Sequence, residues 1–141
     1  MMDSVDFRQL KRPASPNTYL LAPEGFCETC EIDDVSPIFP VDTATLYCLI
    51  SSVVDAEPSW RVKTADADRG LMHIVATSAL LRFKDDVHIY VVSAEAGAAE
   101  SAAASQLAIY SRSRVGYSDL GANKKRVRQL LDRLKDVHVA T

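Results

Sequence analysis

A chain of 141 residues, 48% of them apolar and 25% charged, is long enough for one domain with its own core, too short for two ordinary ones and too apolar for wholesale disorder. A formal net charge of −3 is too mild to imply a nucleic-acid or membrane partner for the whole molecule. Three cysteines, an odd number, make no disulfide framework; with a polar N-terminus and no apolar run near the ~18 residues that cross a bilayer, they point to the cytoplasm.

Residues 1–16 read as a polar arm that ends in Arg12-Pro13-Ala14-Ser15-Pro16, where two prolines disfavour helix. Asn17–Ala22 is a short edge strand. A loop follows over Pro23–Asp34 with Cys27 and Cys30, and then a brief extended segment over Ser36–Val41. The first helix starts at Asp42 or Thr43, whose side-chain oxygens accept bonds from free N–H groups. Leu46, Leu49, Ile50, Val53 and Val54 form its apolar stripe, and Pro58 stops it.

Strands are predicted over Trp60–Thr64, over Leu71–Phe83 with a bend near Ser78, and over Val87–Ser93. Asp66–Gly70 and Lys84-Asp85-Asp86 are the turns between them. Residues 94–104, nearly all Ala, Glu, Gly and Ser, read as a loop, and Gln106–Tyr117 as the last strand. Asn123 is a candidate cap for a closing helix whose stripe is Val127, Leu130, Leu131 and Leu134, with a frayed tail over 137–141. The expected fold is α+β: a single two-layer domain over 17–136, an antiparallel sheet of about four or five strands, and two amphipathic helices on one face. The other face is open or curves around something.

Tyr110-Ser111-Arg112-Ser113-Arg114 is the most informative stretch. Strand side chains alternate, so Arg112 and Arg114 point the same way, roughly 7 Å apart. Their planar forks suit carboxylate or phosphate. On the neighbouring strand Asp86, His88 and Tyr90 share a face, so Asp86 can pair with either arginine across the strands; such pairs are common and weak. The alternative is an anion-binding site. Lys124, Lys125 and Arg126 stand in the first turn of the closing helix, where the helix dipole disfavours cations, so either solvent screens them or an anion compensates. From Arg112 to Lys135 there are eight basic and two acidic residues.

Catalytic motifs are lacking, and no catalytic set is identified. Asp85 and Asp86 are adjacent strand residues that face opposite ways, which suits a turn better than paired acid–base chemistry. Cys27-Glu28-Thr29-Cys30 is a CxxC, but no second half-site stands at metal spacing, so no metal or cofactor is expected. Cys48 reads as an ordinary helix residue, and His73 and His88 as structural or surface histidines. Aromatic residues do not interleave with the basic cluster in a stacking pattern, which disfavours nucleic acid.

Three segments together carry a family resemblance: Arg12-Pro13-Ala14-Ser15-Pro16-Asn17, Leu81-Arg82-Phe83-Lys84-Asp85-Asp86-Val87, and the long run from Ser111 to Arg126. They resemble the bacterial and plastid family known as domain of unknown function number fourteen ninety-nine, over about Arg12 to Leu134. The resemblance implies a shared fold and supplies no activity, substrate or cofactor. It singles out Asn17, Arg82, Asp85, Asp86, Arg112, Arg114, Ser118, Asp119, Asn123 and Arg126. Many relatives look like lipoproteins or membrane-anchored proteins, a feature this N-terminus does not share.

The reading from sequence is therefore a binding or interaction module for a small anion or an acidic protein surface, compatible with a homo-oligomer. Its candidate ligand-binding residues are Arg112, Arg114, Asn123, Lys124, Arg126 and Asp86. An enzyme acting on a small anion with an Asp general base, and a redox or metal protein using Cys27 and Cys30, are the alternatives.

Overall fold

Strand alternation and two helical stripes are both realised in the computed structural model, which describes Phe7, Leu10 and residues 17–28, 31–77, 83–94, 104–114 and 121–140. Among the described residues the chain runs β1 (Thr18–Ala22), β2 (Asp34–Val35), α1 (Thr43–Asp55), β3 (Trp60–Asp66), β4 (Leu71–Thr77), β5 (Lys84–Ser93), β6 (Ser105–Ser113) and α2 (Ala122–Ala140). The fold is α+β, as expected. The sheet, however, is mixed and six-stranded, in the order β2-β1-β6-β5-β4-β3, rather than antiparallel with four or five strands. The pairings along β1-β6-β5-β4-β3 are antiparallel, and β2 adds to β1 in parallel.

That parallel strand also corrects the expectation of an edge strand at 17–22, since β1 lies between β2 and β6. A two-residue strand shows no alternation to read. One side-chain and two backbone bonds flank it: Leu20 N donates to the Asp33 carboxylate Oδ2 at 2.8 Å, Asp33 N to Leu20 O at 2.8 Å and Ser36 N to Ala22 O at 2.9 Å. Beyond β2, the segment expected to be extended over 36–41 makes an isolated bridge between Phe39 and Ser105.

Two other boundaries move. β4 is described over Leu71–Thr77, and β5 begins at Lys84, so Lys84-Asp85-Asp86 is strand rather than turn. Residues 78–82, which carry the expected bend and Arg82, lie outside the described residues, as do 95–103 and 115–120. α2 begins at Ala122 and continues to Ala140, past the expected end at Asp136. Asn123 is thus inside the first turn rather than the cap before it. In α1 the cap is Asp42, whose Oδ1 accepts from Thr45 N at 2.8 Å.

The period-2 pattern sorts the side chains. Tyr19, Leu21, Met72, Ile74, Ala76, Val87, Ile89, Val91, Leu107 and Ile109 form one buried cluster with Leu46, Ile50, Val53 and Val54 of α1 and Val127, Leu130 and Leu134 of α2. Both helices therefore pack on the same side of the sheet. The opposite side, expected to be open or to curve around something, is covered at one end: Phe7, Leu10 and Phe26 bury Leu20, Ala22, Ala108 and Tyr110. The rings of Phe7 and Phe26 each stand 6.1 Å from Tyr90. The other end of that side carries the polar side chains described next.

Candidate functional site

Strand alternation sends Asp85 and Asp86 to opposite sides of the sheet, and each meets an arginine. On the helix side, Arg126 Nη2 lies 2.8 Å from Asp85 Oδ2, and Arg126 Nη1 donates to Ser111 Oγ at 3.2 Å and to Asn123 Oδ1 at 2.9 Å. Asn123 is fully buried; its Nδ2 donates to Asn17 O at 2.9 Å and to Ser113 Oγ at 3.0 Å, and its Oδ1 accepts from Ser111 Oγ. Asn17 O also accepts from Ser113 N at 3.1 Å. These groups satisfy one another and pin the first turn of α2 to β6, β5 and the start of β1. Buried polar groups left unpaired would cost folding energy, so the set acts as one unit.

On the side away from the helices Asp86 is the centre. Arg114 grips it with both arms of its guanidinium, Nε to Oδ2 and Nη2 to Oδ1, each at 2.9 Å. His73 Nε2 stands 2.8 Å from Asp86 Oδ1. Burial pushes the Asp86 carboxyl up, but the hydrogen bonds from Arg114 and His73 outweigh it and hold it at about 2. The His73 ring stacks on His88, with centroids 4.1 Å apart. This follows from register, since His73 and His88 are direct partners across β4 and β5. Burial, then the positive field of His73, Arg112 and Lys63, holds His88 down at about 4 against the pull of Asp86. His73 Nδ1 is the one buried side-chain nitrogen or oxygen among the described residues with no hydrogen-bond partner.

Around this buried centre stands a rim of exposed cations. Arg61, Val75, Asp86 and Arg112 are successive partners across β3, β4, β5 and β6 and so form one transverse row. Lys63 sits in the β-bulge between Val62 and Thr64, and Lys84 shares the face of Asp86 two residues on. Arg61, Lys63, Lys84 and Arg112 are exposed, and none has a carboxylate partner among the described residues. The helix side differs: Arg126, Arg128 and Arg133 are paired with Asp85, Asp34 and Glu57.

The residues singled out from sequence are thus divided. Arg112, Arg114 and Asp86 share the face away from the helices, and the expected cross-strand pair is Arg114 with Asp86. Asn123 and Arg126 belong to the network on the other side, so the candidate ligand-binding residues do not converge on one site. Lys124 lies apart from both, on the outer surface of α2, where it lines a shallow hollow of about 550 Å³ with Lys125, Arg128 and Arg133. Arg82, Ser118 and Asp119 lie outside the described residues. So does Cys30, while Cys27 Sγ stands 3.9 Å from Leu10 O. No group of three His, Cys, Asp or Glu that could hold a metal occurs among the described residues.

Sequence reasoning missed the histidine pair and the contribution of Arg61, Lys63 and Lys84. The alternation Lys84, Asp86, His88 was visible; the partner of His88 required the β4–β5 register. As for chemistry, a carboxylate held at about 2 has too little proton affinity to act as a general base near neutral pH, and Asp85 is closed in by Arg126. What this surface can do is attract and orient negative charge.

Fold and site together define a small α+β protein whose mixed sheet carries two helices on one side and a cationic rim on the other. No helix among the described residues is long and apolar enough to cross a membrane. The chain belongs to the family described as "Protein of unknown function (DUF1499)", whose pattern matches residues 12–134. No curated protein matches it.

Proposed function

We propose that this protein is an interaction module that docks an acidic partner surface on the sheet face opposite its helices. One observation carries the reading: Arg61, Lys63, Lys84 and Arg112 stand exposed on that face without acidic partners among the described residues, whereas the arginines of α2 that reach neighbouring elements are all neutralised. Their spread favours an extended acidic partner over a small anion. Arg61 and Arg112 are three strand spacings apart, about 14 Å between backbones, more than one phosphate or carboxylate spans. Arg114 neutralises Asp86 within the row, which leaves Arg112 at its β6 end free to meet the partner. A cytoplasmic location, on the odd cysteine count, belongs to the same reading.

The test uses a labelled oligo-aspartate peptide and fluorescence anisotropy at low salt. Arg112→Ala and Lys63→Ala each weaken binding by about 5-fold, and the double variant flattens the salt dependence, because exposed charges act mainly through long-range attraction. The melting midpoint stays within the scatter of the native protein. Unchanged affinity in the double variant, or loss of binding only through unfolding, overturns the reading.

A further inference from the structure

The cationic rim lies above two stacked imidazoles, and this arrangement joins docking to protons. His88 is buried, with 4% of its surface exposed. The charged and titratable groups that face it are His73 from β4, Asp86 and Tyr90 from its own strand, Arg112 and Tyr110 from β6, and Lys63 from the bulge in β3. Among the described residues Asp86 is the single carboxylate in this set, and Arg114 and His73 already occupy both of its oxygens. A proton on His88 therefore has no counter-charge of its own among the described residues while the rim is empty.

We infer that His88 takes up a proton when an acidic partner docks on this face, so that docking tightens as the pH falls; this rests on the cationic rim being the docking surface. A carboxylate held by Arg112 and Lys63 cancels the positive field that those two groups exert on the ring. Next to a buried ring, that field is screened far less than in bulk water. Linkage requires the reverse effect to have the same size: whatever docking does for the proton, the proton does for docking. The free protein holds His88 at about 4, so the effect opens between neutral pH and that value.

The experiment repeats the oligo-aspartate titration at about pH 7.5 and about pH 5, where aspartate carboxylates stay ionised, and follows the His88 ring by NMR with and without peptide. Binding is expected to be about 5-fold tighter at the lower pH, with the His88 titration midpoint moving upward when peptide is present. His88→Gln is expected to bind as the native protein does at neutral pH and to lose the pH dependence. Peptide that binds with a flat pH profile and a stationary His88 midpoint overturns this inference and leaves the docking surface standing. Peptide that binds at neither pH overturns the docking surface itself. If His88→Gln fails to fold, the ring titration in the native protein decides alone.

Discussion

Asp85 and Asp86 are neighbours in sequence with the same side chain, yet they serve different structures because a strand turns them to opposite sides. Asp85 and Arg126 are both nearly enclosed, with 10% and 13% of their side chains exposed. Removing the cation from such a pair leaves a buried charge and takes one donor from both Asn123 and Ser111, so Arg126→Met is expected to cost about 3 kcal/mol in urea unfolding. Arg112→Ala, at an exposed position, should stay within about 0.5 kcal/mol. A similar cost for both would mean that Arg112 is structural. The histidines show the limit of reading residues singly. His73 and His88 each look ordinary in sequence, and only their pairing across two strands makes a stacked, buried site.

Among the elements, the β3–β4 turn is the most constrained. Gly70 adopts φ +72, and a Cβ there would stand 2.8 Å from Val91 O on β5. Its own carbonyl accepts from Val91 N at 2.8 Å, so the turn is tied to a third strand and cannot swing away. Gly70→Ala is expected to lower stability by about 2 kcal/mol, through left-handed strain and the forced shift of β5. An unchanged melting midpoint would show that the turn yields freely. The closing helix carries a different lesson. Its basic first turn was legible, and Asn123 was read as its cap. Its side chain instead bonds Asn17, Ser111 and Ser113, which lie far off in sequence and could not be assigned to it without the sheet.

At the scale of the whole molecule, acid should lower the stability of the protein over two successive pH windows. His88 has its ordinary value of 6.5 when unfolded and about 4 when folded, so its neutral form is favoured by folding. That contribution is complete above pH 6.5 and is lost as the pH falls to about 4, amounting to about 3 kcal/mol. Asp86 has its ordinary value of 3.8 when unfolded and about 2 when folded, so its ionised form is favoured. Its contribution is complete above pH 3.8 and is lost towards pH 2; with Arg114 40% exposed and partly screened, it is about 1–2 kcal/mol. Unfolding free energy measured by urea at a series of pH values should show the upper step, and His88→Gln should remove it. A flat profile from pH 7 to 4.5 would contradict the assignment.

The division between what could be read along the chain and what could not follows the range of the interactions. Apolar periodicity, the Asp42 cap, the sharing of one face by Arg112 and Arg114, and the opposite facing of Asp85 and Asp86 are set by local backbone geometry, and the amino-acid sequence determined them by itself. The parallel β2, the internal position of β1, the cover that Phe7, Leu10 and Phe26 provide, the stacking of His73 on His88 and the split of the polar residues into two networks were decided by the tertiary structure. Each depends on which strands become neighbours and in what register. Contacts between residues up to 106 positions apart, such as Asn17 with Asn123, are fixed by burial and long-range pairing, which leave no local mark on the residues that make them.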